Sequence, residues 1–175
     1  MMNLELKQKI TRAVSDFRLP RYREIPTVGL YLEQVTTYIN GFIAPAGCAE
    51  LTSSMVSNYV KKGFIAPPVK KQYGAEQIAY LIFIAVSKHV LSLEHLVALM
   101  ETQKDSATLP QAYDIFCCEL EDAFAIICGV KPESCLPPSD TLSEERLLLR
   151  RVTLSVSHSL YLELFFAEQK NCKIT

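Results

Sequence analysis

The stretch from Leu51 to Met100 constrains the fold most, because helix-start, helix-stop and turn signals follow one another in it at short spacing. Thr52 is predicted to cap a helix that ends before Gly63. A threonine hydroxyl accepts from the free N–H groups of a first turn, and glycine readily takes the left-handed conformation that ends helices. The apolar residues of this helix share one face at helical spacing: Met55, Val56, Tyr59 and Val60.

The opposite face of this helix is polar, and it carries no carboxylate. It consists of Ser54, Ser57, Asn58 and Lys61. Such a face suits the major groove of DNA, where hydroxyls and amides meet base edges and a lysine meets phosphate. The alternative is an ordinary solvated helix face.

Beyond the helix, Pro67-Pro68 prevents any helical continuation, and Val69 to Tyr73 is a short extended run that contains Lys70 and Lys71. A hairpin in this run would place two cations beside the polar helix, as a wing does against a phosphate backbone. Two apolar helices are predicted next, one opening at Gly74 and one capped by Ser92.

The order of these signals resembles the MerR family of winged-helix regulators. The residues that carry the resemblance are Tyr59, Gly63, Phe64-Ile65, Pro67, Lys70-Lys71, Tyr73, Ile78-Leu81-Ile84 and Leu91-Ser92-Leu93. The whole chain resembles more closely a bacterial family of unknown function that shares this MerR-like segment. The resemblance implies an all-α fold with a short β-wing: a winged helix-turn-helix head, DNA binding, and a C-terminal helical domain through which two copies associate.

Upstream of this stretch, the apolar spacing predicts a first helix over residues 3–18 and a second from Leu30 to about Asn40. Residues 41–50 would form the turn of the helix-turn-helix, which is longer than the usual three or four residues. Four arginines, Arg12, Arg18, Arg21 and Arg23, cluster around Leu19-Pro20. We expect them to cap helices or lie in solvent, although an N-terminal arm on DNA phosphates is the alternative.

The polar run 102–108 is predicted to separate a DNA-binding head, residues 1–101, from a helical dimerisation or regulatory domain, residues 102–175. A helix over 110–128 would be followed by a last helix, opened by a capping box of Thr141 and Glu144 and ending near Lys170. Apolar residues nearly surround this last helix. We therefore predict a homodimer through it, with intramolecular burial against the helix over 110–128 as the alternative.

Charge and composition indicate the cellular compartment of the protein more clearly than its binding partner. The formal net charge is −1, but residues 1–101 carry 11 Lys and Arg against 8 Asp and Glu, whereas residues 102–175 carry 7 against 11. A mildly basic front fits a DNA-facing head. The N-terminus lacks the apolar region of a secretory signal, and no apolar run is long enough for a bilayer. We expect a cytoplasmic protein without membrane contact, whose six cysteines are reduced thiols.

Nothing in the sequence indicates an enzyme: we expect no catalytic residue, no cofactor and no metal site. The adjacent pair Cys117-Cys118 would point about 100° apart on a helix, so the two thiols cannot share one ion. A pocket for a small-molecule effector between head and body, lined by Phe116, Phe124 and cysteine side chains, is conceivable, but the sequence indicates no particular ligand.

The function that these observations favour is DNA binding in transcriptional regulation, directed to duplex DNA with inverted-repeat symmetry. Ser54, Ser57, Asn58 and Lys61 would face the major groove, while Lys62, Lys70 and Lys71 would lie on phosphates. The alternative function is a protein-interaction scaffold that has lost DNA binding. It is suggested by Ser57 and Asn58, which stand where MerR proteins usually carry Arg and Tyr.

Overall fold

The computed structural model of the protein describes residues 4–104 and 106–171, which are mostly helical. Its helices are α1 Leu4–Asp16, α2 Leu32–Ile43, α3 Ser53–Lys61, α4 Ala75–Ser87, α5 Leu93–Lys104, α6 Leu109–Ile127 and α7 Glu144–Asn171. The strands β1 Leu30–Tyr31 and β2 Gln72–Tyr73 form a two-stranded antiparallel sheet, with Leu30 opposite Tyr73. The predicted fold class, all-α with a short β-wing, is confirmed.

The second helix begins two residues later than predicted, because Leu30 and Tyr31 form strand β1 and pair with β2, the strand of the wing. Gly29 is required beside this pairing, since a Cβ at its position would lie 2.8 Å from the Cβ of Gln72. α2 also ends later than predicted, at Ile43, and a short 3-10 turn over Ala44–Ala46 follows it. The connection from α2 to α3 is nevertheless long, as the sequence predicts.

Helix α4 is the centre of the molecule, and residues Ile78 to Ser87 in it are all buried except Tyr80, which is half-buried. A helix that is apolar all round must be covered on every side. Accordingly α2, α5, α6 and α7 all pack against it. The extended run of apolar residues in the sequence is therefore a core helix that the other elements surround.

Polar contacts tie the N-terminal segment to α6. The Arg21 guanidinium forms a bidentate ion pair with Glu121, with N–O distances of 2.7 and 2.6 Å. The Leu19 N–H donates to the same carboxylate. Asp114 accepts from the Tyr22 N–H at 2.7 Å. Arg21 thus lies against the body of the protein rather than on an arm free to reach DNA.

The division of the chain at residues 101 and 102 stays a prediction. That position lies within α5, and one contiguous hydrophobic cluster includes residues from both sides of it. The cluster draws on α1, α4, α6 and α7 together. Residues of the predicted head and residues of the predicted C-terminal domain therefore share one hydrophobic core.

The last helix begins at Glu144, and its predicted capping box is wrong. The Thr141 hydroxyl donates to the Pro138 carbonyl within a 3-10 turn, whereas the Ser143 hydroxyl accepts from the Arg146 N–H at 3.4 Å. Ser143 is therefore the capping residue. Among the described residues, no helix combines the length and apolar content needed to cross a membrane.

Candidate nucleic-acid interface

Local hydrogen bonds define both ends of α3, at the residues that the sequence predicts. The Thr52 hydroxyl accepts from the Met55 N–H at 3.3 Å, which satisfies one free donor of the first turn. At the other end Gly63 has a φ of 76°, and the Phe64 N–H donates to the Tyr59 carbonyl at 2.9 Å. This pairing closes the helix in the Schellman arrangement that glycine favours.

The two faces of α3 divide as the spacing predicts. Val56 and Tyr59 are buried in the core, and Met55 and Val60 are half-buried beside them. The predicted major-groove residues all lie on the exposed side of the helix: Ser54, Ser57, Asn58 and Lys61. The helix therefore presents a short polar surface with one positive charge.

Asn40 holds the long connection before α3, a role that the sequence pattern does not predict. Its Nδ2 donates to the Leu51 carbonyl at 3.0 Å, and its Oδ1 accepts from the Leu51 N–H at 2.9 Å. Leu51 is fully buried, so both of its backbone polar groups need partners inside the protein. The sequence signal for this role is the position of Asn40, a polar residue directly after the inward-facing Ile39.

The predicted wing is a tight hairpin whose tip is formed by the two lysines. Val69 and Gln72 exchange two backbone hydrogen bonds, of 3.0 and 2.9 Å, around Lys70 and Lys71. Both lysines have positive φ, 50° and 65°, as in a type I′ turn, and both are exposed. Asn-Gly is the usual sequence for such a turn, since the left-handed conformation costs roughly 1–2 kcal/mol at other residues.

Gln77 fixes the base of the wing to α4. Its Oε1 accepts from the Gly74 N–H at 2.8 Å, while its Nε2 donates to the carbonyls of Ala66 and Pro67 at 2.7 and 2.9 Å. The side chain therefore joins the segment before the hairpin to the first turn of the central helix. Nothing in the sequence distinguishes this residue, because a glutamine in a first helical turn is common.

The seven predicted DNA-binding residues are all exposed, including Lys62, Lys70 and Lys71. Lys62 has an acidic neighbour. The pKa of Glu94 is lowered first by hydrogen bonds from its own backbone N–H and the Ser92 hydroxyl, and then by the charge of Lys62. Lys62 therefore lies near a carboxylate, which the sequence could not reveal because Glu94 is in the first turn of a different helix, α5.

The thiols of the described residues are dispersed. Burial raises the pKa of Cys48 and Cys117 to about 12 and that of Cys128 to about 11, so these thiols are protonated at neutral pH. Cys118 and Cys135 are exposed. No group of three or more potential metal-binding side chains occurs in residues 4–104 and 106–171.

A helix, a long turn, a second helix with a polar outer face, and a hairpin together define a helical protein with a small β-wing. Residues 20–116, more than half of the chain, match a family described as Domain of unknown function (DUF1836). The chain therefore belongs to this family. No curated protein and no solved structure matches it.

Proposed function

We propose that this chain is a cytoplasmic, MerR-like transcriptional regulator that binds duplex DNA as a homodimer. In this proposal the outer face of α3 enters the major groove, with Ser54, Ser57 and Asn58 directed at base edges. Lysine side chains at the end of α3 and at the wing contact phosphates on either side of the groove: Lys61, Lys62, Lys70 and Lys71.

The observation that carries the proposal is the wing tip. Lys70 and Lys71 both occupy left-handed backbone conformations, which disfavour lysine, at an exposed turn where Asn-Gly would be more stable. Backbone strain of this kind is often kept where the side chain has a function. Two adjacent cations at a hairpin tip fit a polyanion such as the DNA backbone.

The contacts that fix both ends of α3 give further support. Its start is held by Thr52 and by the Asn40 contacts to Leu51, and its end is closed at Gly63. A recognition helix must keep its angle to the groove, because base contacts depend on side-chain positions within fractions of an ångström. The carboxylate-free outer face of α3 also avoids repulsion by phosphates.

The homodimer part of the proposal concerns α7. Leu149, Val152, Val156 and Leu160 are buried within the chain, mainly against α6, in line with intramolecular packing. Leu162 and Phe166 nevertheless remain about half exposed, at 51% and 53%. Large apolar side chains exposed near each other on a helix are typical of protein–protein contacts, so this end of α7 is the proposed dimer surface.

The wing can be tested without disrupting its fold, by replacing Lys70→Asn/Lys71→Gly. This change removes both charges and supplies the residues that a type I′ turn prefers. Fragments selected from a random duplex pool by the wild-type protein serve as the ligand, and binding is measured across a salt series. The variant is expected to bind more weakly, with a slope of log K against log salt that is smaller by about one per lost phosphate contact.

Lys131→Asn is the control, since it removes an exposed lysine outside the wing, where Lys131 pairs with Asp122; it should leave the slope unchanged. Equal slopes for the wild type and the wing variant would contradict the wing contact. If the wild-type protein binds no duplex even at low salt, DNA binding is excluded and the alternative, a protein-interaction scaffold, is favoured.

The dimer is tested separately by light scattering of the wild type and of Leu162→Ser/Phe166→Ser. We expect a wild-type dimer and a monomeric variant with unchanged helical circular dichroism. A wild-type monomer at micromolar concentration would contradict the dimer, whatever the DNA experiment shows.

A further inference from the structure

An apolar cavity of about 220 Å³ lies where α4, α5 and α6 meet, with one residue of α7 in its wall. Its inner wall is aliphatic and aromatic, and the rings of Phe83 and Phe116 meet edge to face there, with centroids 4.9 Å apart. The cavity is partly open to solvent, because its lining includes the exposed residues Glu76 and Lys104. A recess with a mainly apolar wall and a few polar groups is typical of small-molecule binding sites.

We infer that this cavity is a binding site for a small, uncharged, flat aromatic molecule. Size supports this class of ligand: an apolar cavity of about 150 Å³ holds benzene, so 220 Å³ accommodates roughly nine non-hydrogen atoms, the size of indole. The flat faces of such a molecule match the aromatic side chains of the wall, which favour offset and edge-to-face ring contacts.

The charges at the cavity point to a neutral ligand. Glu76 and Lys104 are exposed charged residues among those that line it, and their charges are opposite in sign. Lys104 is already paired with Glu101, at 2.7 Å. Both charged residues are exposed, so the buried part of the wall contains no charge. An anionic or cationic ligand would have to leave water for this apolar surface without a buried counter-charge, which is unfavourable.

The hypothesis from the sequence placed a pocket near Phe116, Phe124 and the cysteines. Phe116 does line this cavity, but Phe124 and the cysteines are not among its lining residues. The sequence pattern does not predict the contribution of α4, which supplies Glu76, Ala79, Tyr80 and Phe83 to the wall. α4 begins two residues after the wing strand ends, so a ligand in the cavity contacts the helix that carries the wing. The proposed site itself does not depend on DNA binding.

Indole is a suitable probe, because the chain contains no tryptophan and indole emission can be excited beyond the tyrosine absorption band. Transfer of indole from water into the cavity should shift its emission to shorter wavelength, saturably with protein concentration. Toluene, which contains no polar group, should compete. The expected dissociation constant is in the sub-millimolar range, given the few contacts that so small a ligand can make.

Location is tested with Ala112→Leu, which adds three carbon atoms to a half-buried position in the cavity wall. Because the ligand needs the same space, indole binding should weaken at least about tenfold. Ala98→Leu is the matched control on an exposed position of α5 and should change binding less than twofold. Ala107→Leu, a second wall position in the connection after α5, provides the test if the first variant fails to fold.

Two results would overturn the inference. The first is the lack of saturable indole binding by the folded wild-type chain at millimolar concentrations. The second is wild-type-like affinity in a folded Ala112→Leu or Ala107→Leu variant, which would locate the indole elsewhere. Neither readout uses DNA, so failure of this inference and failure of the proposed DNA binding can be told apart.

Discussion

Glu119 is the residue whose replacement should be most informative about stability. Its carboxylate is buried between α6 and α7, where one oxygen, Oε1, accepts from the guanidinium groups of both Arg146 and Arg150. Arg150 also donates to the Pro137 carbonyl in the connection before α7. A single carboxylate thus joins the two longest helices and the loop between them.

The expected loss of stability on replacing Glu119 follows from the burial of the three side chains. Those of Glu119 and Arg150 are each 6% exposed, whereas that of Arg146 is 29% exposed. Glu119→Gln keeps the shape of the side chain but leaves Arg150 buried without a counter-charge. Breaking a buried ion pair in this way costs about 3–5 kcal/mol. Arg146 can turn toward water, so we expect a loss near 3 kcal/mol, at the lower end of that range.

The assay is urea unfolding followed by circular dichroism, together with a thermal scan. For a chain of this size, 3 kcal/mol corresponds to a decrease of about 10 °C in the melting temperature. Glu101→Gln is the control, because it removes a carboxylate from the exposed pair with Lys104; the unfolding midpoint should not change measurably. A free energy of unfolding for Glu119→Gln within about 1 kcal/mol of the wild type, at unchanged m-value, would refute this reasoning.

Four further predictions concern local stability, pH dependence and thiol reactivity. Thr52→Ala should reduce the free energy of unfolding by about 1 kcal/mol, because the α3 cap is lost. Asn40→Ala should reduce it by about 2–3 kcal/mol, because both backbone groups of buried Leu51 lose their partners. Urea unfolding measures both changes. Stability should fall as pH rises from about 9 to 12, since burial raises the pKa of Cys117 to about 12 and the folded state then retains a proton that the unfolded state releases. Iodoacetamide mapping of the native protein should label Cys118 and leave Cys117 unmodified.

Each of these has a control. Thr52→Ser keeps the hydroxyl and should retain the cap, while Asn40→Asp keeps an acceptor for the Leu51 N–H but places a carboxylate beside the Leu51 carbonyl and should not restore stability. Cys117→Ala should make the alkaline decrease shallower, and an unchanged profile would contradict the assignment to this thiol. Rapid native labelling of Cys117 would contradict its burial.

Much of the head was predictable, because local chemistry determines it. Thr52, Gly63 and the spacing of Val56 and Tyr59 define α3 through contacts within a few residues, and the structure contains this helix with the predicted bounds and exposed face. Likewise, prolines at 67 and 68 and a short extended run with two lysines were enough to predict the hairpin. Turn and capping signals act over short distances, which is why one sequence suffices to find them.

Tertiary structure alone decided which residues hold these elements in position. Asn40 reaches Leu51, Gln77 reaches Ala66, and Arg21 reaches Glu121, a residue one hundred positions away. Such pairings depend on how helices pack, and many carboxylates in the sequence could have paired with Arg21 equally well. The left-handed backbone at both wing lysines was hidden for a related reason: pairing of β2 with β1 and the tie at Gln77 impose it against the local preference of lysine.

The last helix shows the same difference between what the sequence predicts and what tertiary packing decides. Its apolar residues predicted burial on more than one side, because an exposed apolar surface is unfavourable in water. Only the packing of α6, α1, α4 and α5 against it determined that Leu149, Val156 and Leu160 are covered within the chain, while Leu162 and Phe166 stay half exposed. A sequence specifies that a surface must be covered, whereas the three-dimensional arrangement of distant segments determines what covers it.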